Sequence, residues 1–595
     1  MTKRFIGCEP TSLVKIQRIG ALSLLLLAVS GYGVDLGTRQ KTILPADLPP
    51  DAPGIAPSNV SEYVSSGFGA WNWGPGADEG AKLDLMPAGY AGAPHAAQLL
   101  SFFSISDIHI TDKESPAQVP YAGWSAAYLE GGPGGLNQSA YSPVMLDTTH
   151  HLDAAVKTIN ALHRETPFDF GLSLGDVCNS AQYNELRWFI DVMDGRSVRP
   201  SSGDHLGETN IDYQIAYQAA GLDRSIPWYA VIGNHDQFWM GIGYPTEKIK
   251  AAMVGSNVLD ISATGPLAPN ASEGAGMYVG VVDGSTPFGD VVDWGPTNRF
   301  ASPPVVAADP ARRITTEDVS SPVNYIREFF NSSSLPAGHG FSATAAGPAA
   351  ACYSFAPLAN LPLKVIVLDN TCKENVSGQS PVFYGGGWVD AARLAWLAGE
   401  LQAGQDADQL MILACHIPVA PQKDLRQTAP APQAVPAPGN QTDAQLIALL
   451  HRYPNLVLLM AGHRHVNVAT PFPSPDPAHP EYGFWEVETP SLRDFPRQFR
   501  TWEILFNADQ TLSIRTTDVD PVAEPDSPAW KSIGYAVGAA RIYGNTARVA
   551  AGSHTYNAEL VKPLTPAMQA KLAGCGKPIG NRGAIDRGET GTVGE

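Results

Sequence analysis

Five short apolar runs, each followed by residue types that bind metal ions, constrain this chain more than any other feature. The runs are 99–105, 170–174, 228–232, 410–414 and 456–460. The segments after them are Asp107-Ile108-His109, Gly175-Asp176, Gly233-Asn234-His235-Asp236, Cys415-His416-Ile417-Pro418 and Gly462-His463-Arg464-His465. Apolar runs of about five to seven residues that end in Gly, Asp, Asn or His are typical of buried strands that lead into a functional loop. The pattern therefore predicts five strand ends that contribute to one site.

Segments with helical periodicity lie between these runs. The candidate helices are 145–164, 183–193, 389–403 and 443–451. Alternating strands and helices predict an α/β fold with a mostly parallel sheet covered by helices. In such sheets, ligands bind beyond the carboxyl ends of the strands. We therefore expect the five segments to gather at that edge.

The side chains of the five segments offer a mixed nitrogen and oxygen donor set. Such a set suits zinc, iron or manganese better than an all-oxygen calcium site, and Cys415 is the only sulfur among them. Each motif alone occurs often by chance, and a single buried histidine such as His416 is more often a hydrogen-bonded core residue. Their combination at strand ends favours a metal site. We expect His150, His151 and His163 to be surface or packing residues, and Cys415 to be a buried structural thiol.

The order of the motifs resembles that of the calcineurin-like metallophosphoesterase superfamily over about 99–518. The resemblance implies a four-layer α-β-β-α sandwich of two mixed sheets flanked by helices. It implies one metal ion bound by Asp107, His109, Asp176 and His465. It implies a second bound by Asp176, Asn234, His416 and His463, so that Asp176 bridges the two. His235 corresponds to the catalytic histidine of the family.

The resemblance implies hydrolysis of phosphate mono- or diesters with two divalent or mixed-valence ions of Fe, Mn or Zn. A shared carboxylate lets two cations lie about 3.5–4 Å apart, where a bridging hydroxide can attack phosphorus. Side chains of adjacent residues diverge, so His235 is expected to face the substrate rather than the metal that Asn234 binds. There it would act as a proton donor to the leaving group.

The chain departs from one branch of the superfamily. Purple acid phosphatases carry a tyrosine three residues after the bridging aspartate, where this chain has Asn179, so no iron–tyrosinate bond is expected. A catalytically silent, metal-containing binding protein of the same fold is the alternative function. A dinuclear hydrolase of amides or lactones is disfavoured because its usual histidine-rich clusters are absent from the sequence.

The 182 positions that separate Asn234 from His416 exceed what such a fold needs. The segment 238–349 is rich in Gly, Pro, Ser and Ala, which predicts a loop-rich insertion that covers the site and selects the substrate. The net charge of −19 repels polyanions. It therefore favours small phosphate esters over nucleic acids as ligands. The oligomeric state is left open.

The segments that flank the predicted 98–520 catalytic domain have different compositions. Basic residues followed by the apolar stretch 19–29 predict a signal peptide over 1–33 and export, without stable membrane insertion; a retained membrane anchor is the alternative. We expect an irregular arm over 34–97, and a C-terminal extension over 521–595 with a helix at 527–543 and a disordered tail. Cys352 and Cys372 are the favoured disulfide pair. Charged residues of 493–500 could approach a substrate, but paired surface charges are favoured.

Overall fold

A computed structural model describes residues 37–579 with internal gaps. The gaps are 53, 121–140, 142, 203–210, 258–277, 283–286, 290, 297–305, 316–322, 374–383, 421–442 and 544–556. Contacts divide the chain into Met1–Leu36 and Gly37–Glu595, and every described residue belongs to the second unit. The predicted signal peptide and the tail beyond residue 579 therefore lie outside the described residues. In the described part of the chain, no helix combines the length and apolarity that a membrane span requires.

The described residues form twenty strands, eight α-helices and several short 3-10 helices. The strands are β1 Lys41–Pro45, β2 Trp71–Pro75, β3 Gly80–Lys82, β4 His95–Ile105, β5 Phe170–Ser173, β6 Ser197–Val198, β7 Tyr217–Gln218, β8 Trp228–Ala230, β9 Tyr278–Val282, β10 Val291–Pro296, β11 Tyr353–Phe355, β12 Leu363–Val367, β13 Leu410–Ala414, β14 Leu456–Ala461, β15 Val468–Phe472, β16 Phe484–Glu488, β17 Phe499–Asn507, β18 Leu512–Val519, β19 Ala558–Lys562 and β20 Lys577–Pro578. The α-helices are α1 Thr148–Glu165, α2 Tyr183–Asp194, α3 Glu247–Val254, α4 Val323–Glu328, α5 Ala391–Asp406, α6 Asp443–Leu450, α7 Pro528–Ile542 and α8 Pro566–Leu572. The 3-10 helices are Val60–Glu62, Pro143–Asp147, Pro310–Arg312, Phe329–Asn331, Ala337–Gly340 and Pro480–Tyr482.

Most of the strands belong to two mixed sheets. The larger has the order β3-β19-β18-β17-β4-β5-β8, with β20 also paired to β4, and the smaller has the order β11-β12-β13-β14-β16-β15. Pairing is parallel among β4, β5 and β8 and among β12, β13, β14 and β16. It is antiparallel across β17, β18 and β19. The α/β class and the two mixed sheets are confirmed, whereas the expectation of a mostly parallel sheet is wrong, because antiparallel strands extend both parallel groups.

Three apolar clusters organise the core. One contains side chains of both large sheets, including Phe102 of β4 and Ile412 of β13. A second joins Phe103 of β4 to helices α1 and α2. A third joins strands β12 and β13 to helices α5 and α6. Because successive strand residues face opposite sides of a sheet, Phe102 and Phe103 contribute to different clusters. The order of the four predicted layers stays a prediction.

The five predicted strands that lead into the site are all present as β4, β5, β8, β13 and β14. Each ends within three residues of the polar segment that it was expected to deliver. The first three belong to the larger sheet and the last two to the smaller sheet. The site is therefore assembled from the carboxyl ends of parallel strands in both sheets.

Strands from both segments that flank the predicted catalytic domain join the larger sheet. Strand β1 pairs with β2 inside the supposedly irregular arm. Strand β3 of the arm pairs in parallel with β19 of the C-terminal extension. The sequence pattern misses β3 because it has only three residues, Gly80–Lys82, and none of them is fully buried. The boundaries at 98 and 520 thus cut through one sheet.

The predicted disulfide between Cys352 and Cys372 is wrong, since no bond joins these two sulfur atoms. The antiparallel register pairs Tyr353 with Val367, which places Cys352 near the end of β12 and several residues short of Cys372. The Cys352 Sγ instead accepts the backbone N–H of Asp369 at 3.4 Å. Cys415 is buried beside the carbonyl of Ile417, as a structural thiol would be.

Candidate metal centre

The structure brings the five segments together into three overlapping groups of potential ligands. Within each group, the ligand atoms lie within 4.8 Å of one another. The groups are Asp107, His109 and His465; His109, Asp176 and His235; and Asp176, His416 and His463. All of these side chains are buried except those of His235 and His463, which are partly exposed. Clustered histidine and aspartate residues of this kind could hold metal ions.

The first group surrounds the carboxylate of Asp107. The Nε2 atom of His465 lies 3.3 Å from Asp107 Oδ1, and that of His109 lies 3.8 Å from the same oxygen. The two Nε2 atoms are themselves 3.2 Å apart. Three donor atoms thus converge on one point, which is the geometry that a shared cation requires.

The other two groups share Asp176. Its Oδ2 atom lies 3.1 Å from His416 Nε2 and 3.8 Å from His109 Nε2, so Asp176 is within reach of both groups. The Nδ1 atom of His463 lies 3.1 Å from Asn234 Oδ1. Each residue assigned as a ligand from the sequence is therefore in the cluster. Its role as a ligand stays a prediction.

Hydrogen bonds orient two of the imidazoles toward the carboxylates. The Nδ1 atom of His416 lies 2.8 Å from the carbonyl oxygen of Leu174, and that of His465 lies 2.7 Å from Asp494 Oδ1. Since a carbonyl oxygen can only accept, Nδ1 of His416 carries the proton and Nε2 faces Asp176. Metal-binding histidines are commonly held in this way. The sequence analysis did not assign Asp494 this function.

Unsatisfied polar atoms at the centre fit a bound cation. Among the described residues, His416 Nε2 and His109 Nδ1 are buried without a well-oriented hydrogen-bond partner. An unpaired buried polar atom costs about 1–3 kcal/mol. For His416 Nε2, which faces Asp176, coordination would remove that cost. The imidazole, carboxylate and amide donors are those that zinc, iron and manganese accept.

Charge interactions divide the histidines into two classes. Burial opposes the charge on His416, but Asp176 and Asp107 together raise its pKa to about 9. Burial likewise opposes the charge on His465, but Asp494 and Asp107 raise its pKa to about 10. Burial and the neighbouring imidazoles lower the pKa of His109 and of His463 to about 3. At neutral pH without metal, His416 and His465 are therefore imidazolium cations beside the two carboxylates of the cluster.

His235 lies beside the first group and points away from its neighbour in sequence. Its backbone N–H donates to Asp176 Oδ1 at 2.8 Å, and its ring meets that of His109 edge-on at 4.4 Å between centroids. Asn234 instead approaches His463. The predicted divergence of these two adjacent side chains is therefore present. His235 is also within ligand reach of His109 and Asp176, so its position suits a ligand as well as a proton donor.

Asp236 joins two of the loops by accepting backbone hydrogen bonds. Its Oδ2 accepts from the N–H of Asp176 at 3.0 Å and from that of Gly233 at 2.8 Å. Its Oδ1 accepts from the N–H of Cys178 at 2.9 Å. Asp236, which was assigned no function from the sequence, thus holds the two loops together.

Two motif glycines allow the loops to approach one another. A Cβ atom on Gly233 would lie 2.1 Å from Asp176 Oδ1, and one on Gly462 would lie 2.5 Å from Asp107 Oδ2 and 2.0 Å from the Ser106 hydroxyl. Any larger residue would therefore displace a predicted ligand. A steric requirement therefore explains why glycine occupies these two positions, and the spacing of the motifs alone does not reveal it.

Five of the seven predicted ligands have left-handed backbone conformations. Their φ angles range from 46° to 72°, and the residues are Asp107, His109, Asp176, His463 and His465. Such angles are uncommon for residues other than glycine. They cost on the order of 1–3 kcal/mol each and persist where the surrounding structure enforces them, typically at functional sites. Their concentration here supports a function for the cluster.

The interpretation of 493–500 as paired surface charges is wrong, because these side chains are buried. Arg493, Asp494, Arg497 and Arg500 are each at most 5% exposed. Asp494 holds His465, and Arg493 donates to the side-chain oxygen of Asn179. These residues lack the periodicity that identifies a buried element, so their burial follows from tertiary structure alone.

Other residues that the sequence analysis considered lie outside the three groups. His151 is buried and contacts the carbonyl of Arg497, while His163 approaches the hydroxyl of Ser225. The start of the predicted insertion reaches the site, since the carbonyl of Gly241 accepts from Asn234 Nδ2 at 3.0 Å. Much of the insertion lies outside the described residues, so its function as a lid stays a prediction.

Of the comparisons with known proteins, the one with solved structures gives matches. No protein-family model matches the chain, and no curated protein matches it. Among solved structures, the chain is similar to a dimetal phosphatase from Danio rerio, with 12% identity and a TM-score of 0.32. The match covers 71% of this chain and all of the other. Similarity at this level does not by itself establish a shared activity.

Proposed function

We propose that this chain is a metal-dependent phosphoesterase of the calcineurin-like type. The observation that carries the proposal is the position of Asp176 between two histidine-containing groups at the ends of parallel strands. A carboxylate shared in this way is the element that a dinuclear site needs. The four-layer order and two ions of Fe, Mn or Zn are parts of the same proposal, and the three core clusters support the layer order.

When bound, a pair of such ions would supply positive charge for the phosphate group and a hydroxide nucleophile near neutral pH. Asp107, His109, Asp176 and His465 would hold one ion, and Asp176, Asn234, His416 and His463 the other. The Leu174 carbonyl and Asp494 orient two of these imidazoles. A preorganised donor set of this kind needs little rearrangement during catalysis.

His235 is proposed to protonate the leaving oxygen. Its Nδ1–H is engaged with the Asn179 carbonyl, so Nε2 is the atom that can exchange a proton with the substrate. Nε2 carries a proton only in the imidazolium form. Burial lowers the pKa of His235 and thus opposes that form, while the charge of Asp176 favours it. A proton transfer of this kind contributes about 10²–10⁴-fold to rate.

Small phosphate esters are the proposed substrates, and an exported location is proposed from the N-terminal sequence. The net charge of −19 supports the first proposal because it repels nucleic acids. The basic residues and apolar stretch of 1–33 support the second.

Hydrolysis of two model substrates tests the proposal. Purified protein loaded with manganese, zinc or iron should hydrolyse para-nitrophenyl phosphate or bis-para-nitrophenyl phosphate, with metal content measured in parallel. Asp176→Asn should abolish turnover, whereas Asp84→Asn, which changes an exposed aspartate, should not. Undiminished turnover by Asp176→Asn would reject the proposal. Bound metal without turnover of either ester would instead favour the metal-containing binding protein.

A further inference from the structure

Arg493 is a buried arginine fixed next to the candidate metal centre. It is 1% exposed. Its backbone N–H donates to the Ser491 hydroxyl at 2.9 Å, and that hydroxyl donates to the carbonyl of Asp107 at 2.7 Å. The next residue, Asp494, holds His465. The backbone at Arg493 is therefore anchored to segments that provide two predicted ligands.

Only part of the Arg493 guanidinium is engaged by the protein. Nη1 donates to Asn179 Oδ1, and the guanidinium carbon lies 5.2 Å from the centre of the Tyr141 ring. Among the described residues, Nε and Nη2 are buried without a hydrogen-bond partner. These two N–H groups lie on one edge of the guanidinium and point in parallel, as the fork that binds the oxygens of phosphate or carboxylate does.

The positive charge of the Arg493 guanidinium affects the pKa of two imidazoles of the site. Its charge contributes to the lowered pKa of both His109 and His235, although burial is the larger cause for each. Asn179 connects Arg493 to His235 directly, since its carbonyl contacts His235 and its side-chain oxygen accepts from Arg493. Burial lowers the pKa of Arg493 to about 10, so it stays charged at neutral pH. A buried cation, with two donors that no described residue pairs, is thus linked through Asn179 to the proposed proton donor.

We infer that Arg493 binds the phosphate group of the substrate through its Nε–H and Nη2–H. The inference rests on the proposed phosphoesterase function. Leaving two charged donors unpaired in the interior is costly, and an oxyanion would satisfy both. Phosphate and carboxylate share the required chemistry, so acetate serves as the probe that separates a general anion site from a phosphate site.

Binding of inorganic phosphate to the metal-loaded protein tests this inference by calorimetry. Arg493→Lys keeps the charge but removes the fork, and we expect it to weaken phosphate binding about tenfold, equivalent to about 1.4 kcal/mol. Arg500→Lys is the matched control. Arg500 is equally buried, but its Nη1 and Nη2 donate to Thr516 at 3.1 Å and Asn467 at 2.8 Å. We expect phosphate binding by Arg500→Lys to equal that of wild type.

Metal content and melting temperature show whether each variant has kept its structure. Should Arg493→Lys lose metal or unfold, Arg493→Gln provides a second variant that can still donate to Asn179. Equal phosphate affinity in the wild type and in folded Arg493 variants overturns the inference. A wild-type protein that binds no phosphate, or that binds acetate as tightly as phosphate, also overturns it. Arginine-dependent phosphate binding without ester hydrolysis would reject the proposed function and leave the inference standing.

Discussion

The carbonyl oxygen of Asn179 lies 2.6 Å from Nδ1 of His235, so this nitrogen donates and Nε2 is the ring nitrogen left to exchange a proton. Asn179 is itself fixed, because its backbone N–H donates to Glu185 Oε2 at 3.1 Å. Glu185 belongs to helix α2 and forms its capping box with Gln182. The orientation of His235 is thereby connected to the start of a buried helix.

His235→Ala should abolish most turnover while leaving the metal content unchanged. Removing a general acid costs about 10²–10⁴-fold in rate. The measurement is kcat on the better of the two nitrophenyl esters, together with elemental analysis. His479→Ala, at an exposed histidine, should retain full activity. Loss of metal from His235→Ala would identify His235 as a ligand and contradict its role as proton donor.

Asp494→Asn should weaken metal binding because it changes the partner of His465 Nδ1, which lies 2.7 Å away. Replacing such a partner typically costs about 10–100-fold in metal affinity. Competition with a chromophoric chelator measures the change. Asp509→Asn serves as the control, since Asp509 bonds to Thr511 and Tyr90 in a turn of the larger sheet. Equal affinities in both variants would show that Asp494 does not support the centre.

Metal binding should release protons and strengthen as pH rises. The pKa values of about 9 for His416 and about 10 for His465 mean that both are protonated at pH 7 without metal. Only neutral imidazole coordinates, so a cation must displace these protons. Their release costs less as pH approaches these values, and apparent affinity should therefore increase from pH 7 to 9. Calorimetry in buffers of different ionisation enthalpy measures the protons released. Identical heats in all buffers would refute the expectation.

Gly462→Ala should disrupt the centre, whereas Gly399→Ala should not. A Cβ on Gly462 would overlap Asp107 and Ser106, both of which are buried. Gly399 lies in helix α5, where an added Cβ meets nothing within 4 Å. Alanine there should raise the free energy of unfolding by up to about 1 kcal/mol. Metal content and urea denaturation distinguish the two. A Gly462→Ala protein with full metal content would disprove the steric role.

The sequence predicts the strands and helices around the site well because their signals are local. Strand β13 has the expected bounds, and helix α2 ends one residue beyond its predicted last residue. Strand β3 is missed because a short edge segment with little burial has no apolar pattern. Its place in the sheet depends on β19, which is distant in sequence.

The candidate ligands are identified from the sequence, whereas the residues that support them are not. A ligand lies in a recognisable motif after a strand. Arg493 and Asp494 lie in a polar stretch without periodicity, and their burial depends on contacts with Asn179 and His465. These contacts join positions 314 and 29 residues apart. Composition and spacing therefore suggest surface charge where the fold creates an interior network.

The two large sheets share the ligands proposed for each of the two metal ions. Asp107 and His109 follow a strand of the larger sheet, while His465 follows one of the smaller sheet; Asp176 and His416 are divided in the same way. Each cation would consequently bind residues from both sheets and connect the two sheets. Its removal would weaken the connection between the two halves of the core, so that the chemistry of the centre and the mechanical integrity of the protein depend on the same few bonds.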